Sequence, residues 1–179
     1  MILTDREIAI ALETKQISIT PQPPSGCFSP SSIDLSLGDK GRRWRKTPGM
    51  QIKPGSPGYN YNGLLHLQDN IDISGHILQP GDFILAWTKE LIDIPERSRL
   101  AARVEGKSSI ARLGVGIHIT APTIHSGFRG VIQLEMFNLG VLDIVLSPGM
   151  RICQLIFEQT LGTPEKGYSG IFRDQSANE

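Results

Sequence analysis

The chain has 179 residues, with 18 Lys+Arg against 18 Asp+Glu, a formal net charge of +0 and two cysteines. That length fits one domain, able to bury roughly 70% of the surface its unfolded form exposes without a disulfide or metal staple. The charge balance argues against a general polyanion binder such as a DNA-coating protein; no apolar run reaches the ~18 residues that span a bilayer; and Cys27 and Cys153 form no CxxC pair for a cysteine-based zinc site.

In chain order, the opening MILTDREIAIALETKQ places Asp5 and Glu7 ahead of any apolar run and has no basic leader, so the reading is a cytoplasmic protein with reduced thiols and no secretory signal. Thr4 followed by Glu7 is a capping box, and Ile8, Ala11 and Leu12 then recur at helical spacing, which predicts an amphipathic helix over about residues 4–14. After TPQPPSG the pattern becomes short alternating runs between turn signals: SSIDLSLG, LLHLQ, HILQPGDFILAWT, LIDIP, RLAARVEG, VGIHITA, GVIQLEMFN, DIVLSPGM and RICQLIFEQ. Strands of about five residues broken by Pro-Gly and Gly predict an all-β barrel or double-sheet sandwich, not βαβ units. The stretch GDKGRRWRKTPGMQIKPGSPGYNYNG reads as a long basic excursion with no chemistry of its own. His66 and His76 fall in predicted strands as core or surface residues. The tail GTPEKGYSGIFRDQSANE has too little apolar content for a core element, and is disordered unless it docks on something.

Two stretches break the pattern. In VEGKSSIARLG, Ser108 can cap a short polar helix near residues 108–113 whose first amides suit phosphate oxygens. Ser108 and Arg112 lie four apart on one face, and Lys107 adds positive charge at the entrance. An ordinary capped turn with a surface arginine has the same spacing, so both readings stand. In GVIQLEMFN, Ile132, Leu134 and Met136 form one face while Val131, Gln133, Glu135 and Phe137 form the other, setting one carboxylate in an apolar run. Such a glutamate is either a solvent-face residue paired with a lysine or a partly buried group able to carry protons near neutral pH. His118 and His125 lie seven apart with no acidic or thiol group to complete a coordination sphere, so no metal ligands are assigned.

These stretches, with PSSIDLSLG, PGDFILAWT, HITAPTIHSGFRG, LSPGMRICQLIFE and a Tyr-containing tail, resemble the dCTP deaminase family of the trimeric dUTPase-like superfamily. The resemblance runs nearly end to end and is most specific around Ser108–Arg112 and Gly127–Asn138. It implies a single domain over 1–179 with a distorted β-barrel and a short N-terminal helix. It also implies a homotrimer with active sites at subunit interfaces, and a mobile tail over about 162–179 that closes on bound nucleotide. The implied reaction is deamination of dCTP to dUTP with release of ammonia, a hydrolysis of the cyclic amidine C–N bond that feeds dUMP and dTTP synthesis.

In this family pattern Glu135 is the catalytic proton shuttle, Ser108 and Arg112 hold the water and support the glutamate, and Ala121 positions the water through its carbonyl. Lys107, Ser108, Ser109 and Gln175 match phosphate ligands, and Arg173 is close enough in sequence to substitute for a further basic residue of the family's tail. His125, Phe128 and Tyr168 match residues around the sugar and base, and Thr120 and Gln133 complete the implied nucleotide contacts. Mg2+ is expected on the substrate triphosphate and zinc is not, since two isolated cysteines cannot supply the H-x-E…P-C-x-x-C pattern of zinc deaminases. No nucleic acid or membrane partner is implied, and dTTP is the inhibitor known from several relatives. The sequence departs from the pattern at three places. His125 stands where many members have an aspartate, Lys107 replaces an arginine, and Ile171 replaces a tail lysine. The alternatives are therefore a dUTP diphosphatase or bifunctional dCTP deaminase/dUTPase, and a non-catalytic nucleotide-binding homologue.

Overall fold

Thr4 starts the first helix: its amide donates to the Glu7 carboxylate at 3.3 Å and its hydroxyl to the same group, giving α1 over Asp5–Glu13 with Ile8 and Ala11 buried. The computed structural model of the protein describes residues 1–121, 123–170, 173, 174 and 176. The strands are β1 (Ser18–Thr20), β2 (Phe28–Ser29), β3 (Ser32–Trp44), β4 (Gln68–Asp72), β5 (Ile77–Leu78), β6 (Phe83–Asp93), β7 (Leu100–Gly106), β8 (Val115–Gly116), β9 (Arg129–Asn138), β10 (Ile144–Val145) and β11 (Arg151–Gln159), with α2 (Ser108–Ala111) between β7 and β8. They form a mainly β, nearly closed barrel-like sheet in the order β7-β11-β3-β6-β9-β8, while β1 pairs with β6, β2 and β4 with β3, and β10 with β5.

The long strand β3 joins the two halves of this sheet. Its first part pairs with β11 (Ile33 opposite Leu155) and its second with β6 and β4 (Gly41 opposite Ala86 and Ile71). Two glycines permit this: a Cβ on Gly38 would stand 3.0 Å from the Trp87 carbonyl, and one on Gly41 3.0 Å from the Leu85 carbonyl and 2.9 Å from Ile71. Glycines expected to break the chain at GDKGRRW instead let two backbones approach, so the first part of the predicted excursion is strand.

Elsewhere the ladder is repaired by polar side chains. Between Trp87 and Leu91 the register of β6 slips against β9. There Thr88 Oγ1 accepts the Ile132 amide at 2.9 Å and donates to the Glu90 carbonyl at 2.8 Å, while the buried Glu90 carboxylate accepts the Ser36 amide at 2.8 Å. The core inside the sheet is aliphatic, with Ile8, Ile33, Leu35, Leu37, Ile84, Ile92, Leu134 and Phe157 fully enclosed.

Two predicted strands differ. LLHLQ lies mostly in a 3-10 turn over Asn62–Leu67, started by Asn60 Oδ1 accepting the Asn62 amide at 3.1 Å; His66 lies in that turn and His76 in the turn between β4 and β5. VGIHITA keeps only Val115–Gly116 in the ladder, because the chain then leaves it to give the Ile119 amide to a side chain. Among the described residues, no helix is long and apolar enough to cross a membrane.

Candidate active site

Strand β7 ends at Gly106, and the chain turns at Lys107, whose extended backbone makes it the residue that precedes α2; the turn begins one residue earlier than expected, with Lys107 in place of Ser108 as N-cap. The Ala111 amide donates to the Lys107 carbonyl at 2.9 Å and the Arg112 amide to the Ser108 carbonyl at 3.1 Å. Gly114 closes the turn with φ of 92°, packed against the backbone of Gly140. This leaves Ser108, Ser109 and Arg112 exposed on one rim. Lys107 does not stand free at the entrance: its Nζ donates to Oδ2 of the buried Asp34 at 2.6 Å.

Glu135 is half-buried on β9 opposite Leu85, sharing a face with the half-buried Gln133. Its Oε2 accepts the Ile119 amide at 3.0 Å, which draws the loop after β8 over it; within that loop His118 Nδ1 accepts the Ala121 amide at 3.3 Å, and Thr120 is exposed. Among the described residues no hydrogen bond or ion pair joins Glu135 to Ser108 or Arg112. Within one chain, then, the predicted proton carrier and the predicted water-holding pair lie on separate elements with no hydrogen bond or ion pair between them.

A second cluster lies at the start of β9. Phe128 is buried, and the Tyr168 ring lies 6.4 Å from it and 6.2 Å from the exposed His125 ring. The tail is held there by the Tyr168 amide donating to the Ser126 carbonyl at 2.8 Å, an approach that a Cβ on Gly127, with φ of 90°, would block. A cleft of about 400 Å3 opens between Leu100, His125, Ser126, Thr160 and Tyr168. Arg173 is paired with Glu96 at 3.2 Å, and the Asp174 amide donates to the Arg129 carbonyl at 2.6 Å. Gln175 and Ile171 lie outside the described residues.

Asp34 and Glu90 are buried carboxylates with no role assigned by the sequence pattern. The signal for Asp34 was present, since SSIDLSLG carries one carboxylate in an alternating apolar run as GVIQLEMFN does. Among the described residues no group of three or more His, Cys, Asp or Glu is placed to hold a metal ion.

The family model for dCTP deaminase-like proteins matches residues 2–160. A dCTP deaminase, dUMP-forming, of Methanothermobacter thermautotrophicus is 40% identical over 176 residues, 97% of this chain and 86% of the relative. A dCTP deaminase of Thermomicrobium roseum is 39% identical over 160 residues, 89% of this chain and 80% of the relative. Among solved structures, the 2'-deoxycytidine 5'-triphosphate deaminase of Agrobacterium tumefaciens superposes with a TM-score of 0.68 at 25% identity, covering 88% of this chain and 48% of that one, so this chain spans about half its length. A dUTPase from phage phi11 of S. aureus, at a TM-score of 0.50 and 9% identity over 87% of this chain and 97% of its own, shares the fold.

Proposed function

The chain belongs to the dCTP deaminase-like family, and from that premise we propose that it hydrolyses the C4–amino bond of dCTP to release ammonia and that a second water then cleaves the bond between the α- and β-phosphates, so that dUMP and pyrophosphate leave. The observation that carries the deamination step is the placement of Glu135, a half-buried carboxylate with Oε2 tied to the Ile119 amide, so that its position on β9 is fixed by the loop that carries Ala121. A carboxylate held this way takes a proton from water attacking C4 and passes it to N3; it then takes the proton of the resulting C4 hydroxyl and delivers it to the amine, which leaves as ammonia while the C4 carbonyl forms. Arg112 and Ser108 orient the water and the glutamate, with the Ala121 carbonyl as a further acceptor. Thr120 and Gln133 face the base, Phe128, His125 and Tyr168 enclose the sugar and ring, and Lys107, Ser108, Ser109, Arg173 and Gln175 bind phosphates. Mg2+ arrives on the triphosphate, whose oxygens hold it and whose charge it offsets.

The site is completed by a second copy of the chain. Among the described residues Glu135 makes no hydrogen bond or ion pair to Ser108 or Arg112 within one subunit, and the α2 rim is bordered by exposed Leu113, Leu139, Val141 and Leu142, an apolar margin suited to a homotrimer interface. The second step is proposed because the Methanothermobacter relative is named dUMP-forming. A deaminase that stops at dUTP is the second reading, favoured by His125, which puts an imidazole where the family pattern has a carboxylate able to activate water toward phosphorus. Purified protein given dCTP and Mg2+ and assayed separately for ammonia and pyrophosphate decides: both products support the proposal, ammonia alone selects the second reading, and pyrophosphate from dUTP without ammonia from dCTP sinks deamination.

A further inference from the structure

The strands under α2 bring three polar side chains into one row. Glu105 on β7 lies opposite Gln154 on β11, and Gln154 lies opposite Asp34 on β3. Lys107, two residues beyond Glu105, leaves the end of β7 and sends its side chain across β11 to this buried carboxylate. Asp34 has a side-chain exposure of 6% and Lys107 of 20%. The remaining partners of Asp34 are weaker: Gln154 Nε2 at 3.4 Å, and Arg151 at 3.7 Å, whose Nη1 is already committed to the Gly26 carbonyl at 2.7 Å.

A buried carboxylate stripped of its nearest cation, with only Arg151 left at 3.7 Å, is disfavoured, so Lys107 is held where Asp34 puts it. Because Lys107 is also the residue from which α2 starts, fixing its ammonium fixes the origin of the turn that presents Ser108, Ser109 and Arg112. We infer that Asp34 is a positioning residue for nucleotide binding: it touches no substrate, but through the Lys107 ammonium it sets the place of the α2 rim against the triphosphate. This rests on the reading of that rim as the dCTP site.

The test has an arm that needs no turnover. Acylation of the native protein with an N-hydroxysuccinimide acetate, followed by mass spectrometry, should modify Lys107 at least ~10-fold more slowly than the exposed Lys46 and Lys53. In Asp34→Asn that protection should vanish, and Asp34→Glu, which returns a carboxylate, should restore much of it. In parallel, Asp34→Asn should raise KM for dCTP about tenfold and lower kcat as Arg112 moves with the rim, and Asp34→Glu should restore much of both.

Should Asp34→Asn unfold, the double variant Asp34→Asn/Lys107→Met leaves no orphan charge, and its KM should equal that of Lys107→Met alone. A Lys107 as protected in Asp34→Asn as in the unsubstituted protein, an unchanged KM, or a double variant whose KM is the product of the single effects would each overturn the inference and leave the deaminase reading intact. Unsubstituted protein that neither binds nor deaminates dCTP overturns both.

Discussion

Glu135 illustrates how a strand makes a proton carrier: its neighbours Leu134 and Met136 point into the core and are fully buried, so the alternation holds the carboxylate half in solvent, and one hydrogen bond from the Ile119 amide fixes it. Glu135→Gln keeps the shape and loses the proton; ammonia release should fall by at least ~10²-fold while the dissociation constant for dCTP, read by calorimetry, stays within a few-fold. Full turnover in that variant means another group carries the proton. Cys153 shows the opposite use of burial. Enclosure pushes its thiol up, with Glu90 and Asp34 adding to the effect and Lys107 opposing it. The folded state thus favours the neutral thiol, and its contribution is fully present below the ordinary thiol value of 9.0 and is lost as pH rises beyond it. The urea midpoint should therefore drop above about pH 9, and drop less steeply in Cys153→Ala; parallel alkaline limbs would remove Cys153 as the cause.

The element that matters most is the four-residue turn α2, too short to be stable alone and therefore held from both ends. Asp34 and Lys107 tie its start, and Gly114 its finish, where positive φ and contact with Gly140 leave no room for a side chain. Gly114→Ala combines left-handed strain with a backbone collision and should cost at least ~2 kcal/mol in denaturant titration, with loss of ammonia release as Arg112 shifts. A variant as stable as the parent would show that α2 does not lean on Gly140. This turn was legible in the sequence because serine, arginine and two glycines sit within GKSSIARLG. Its tether was not, because Asp34 and Lys107 are separated by 73 residues and become neighbours only where β3, β11 and β7 lie side by side.

At the scale of the whole molecule, one chain holds a barrel-like sheet with a closed aliphatic core and leaves Leu139, Val141 and Leu142 exposed beside α2. Val141 is 89% exposed in the single chain, so Val141→Asp should leave subunit stability within about 0.5 kcal/mol. In the proposed trimer it buries a charge, so sedimentation should show dissociation and ammonia release should fall together. An active monomer in that experiment would end the idea of a shared site. The sequence by itself determined the capped first helix, the strand alternation that places Glu135, and the motif of α2, because each depends on residues within a few positions of one another. Only the tertiary structure decided that the glycines of β3 carry a strand between two halves of the sheet, that Tyr168 is held beside Phe128 by a hydrogen bond from its amide to the Ser126 carbonyl, and that Lys107 turns inward. Those facts depend on strand register and on close approach of distant backbones, which no local pattern of residues specifies.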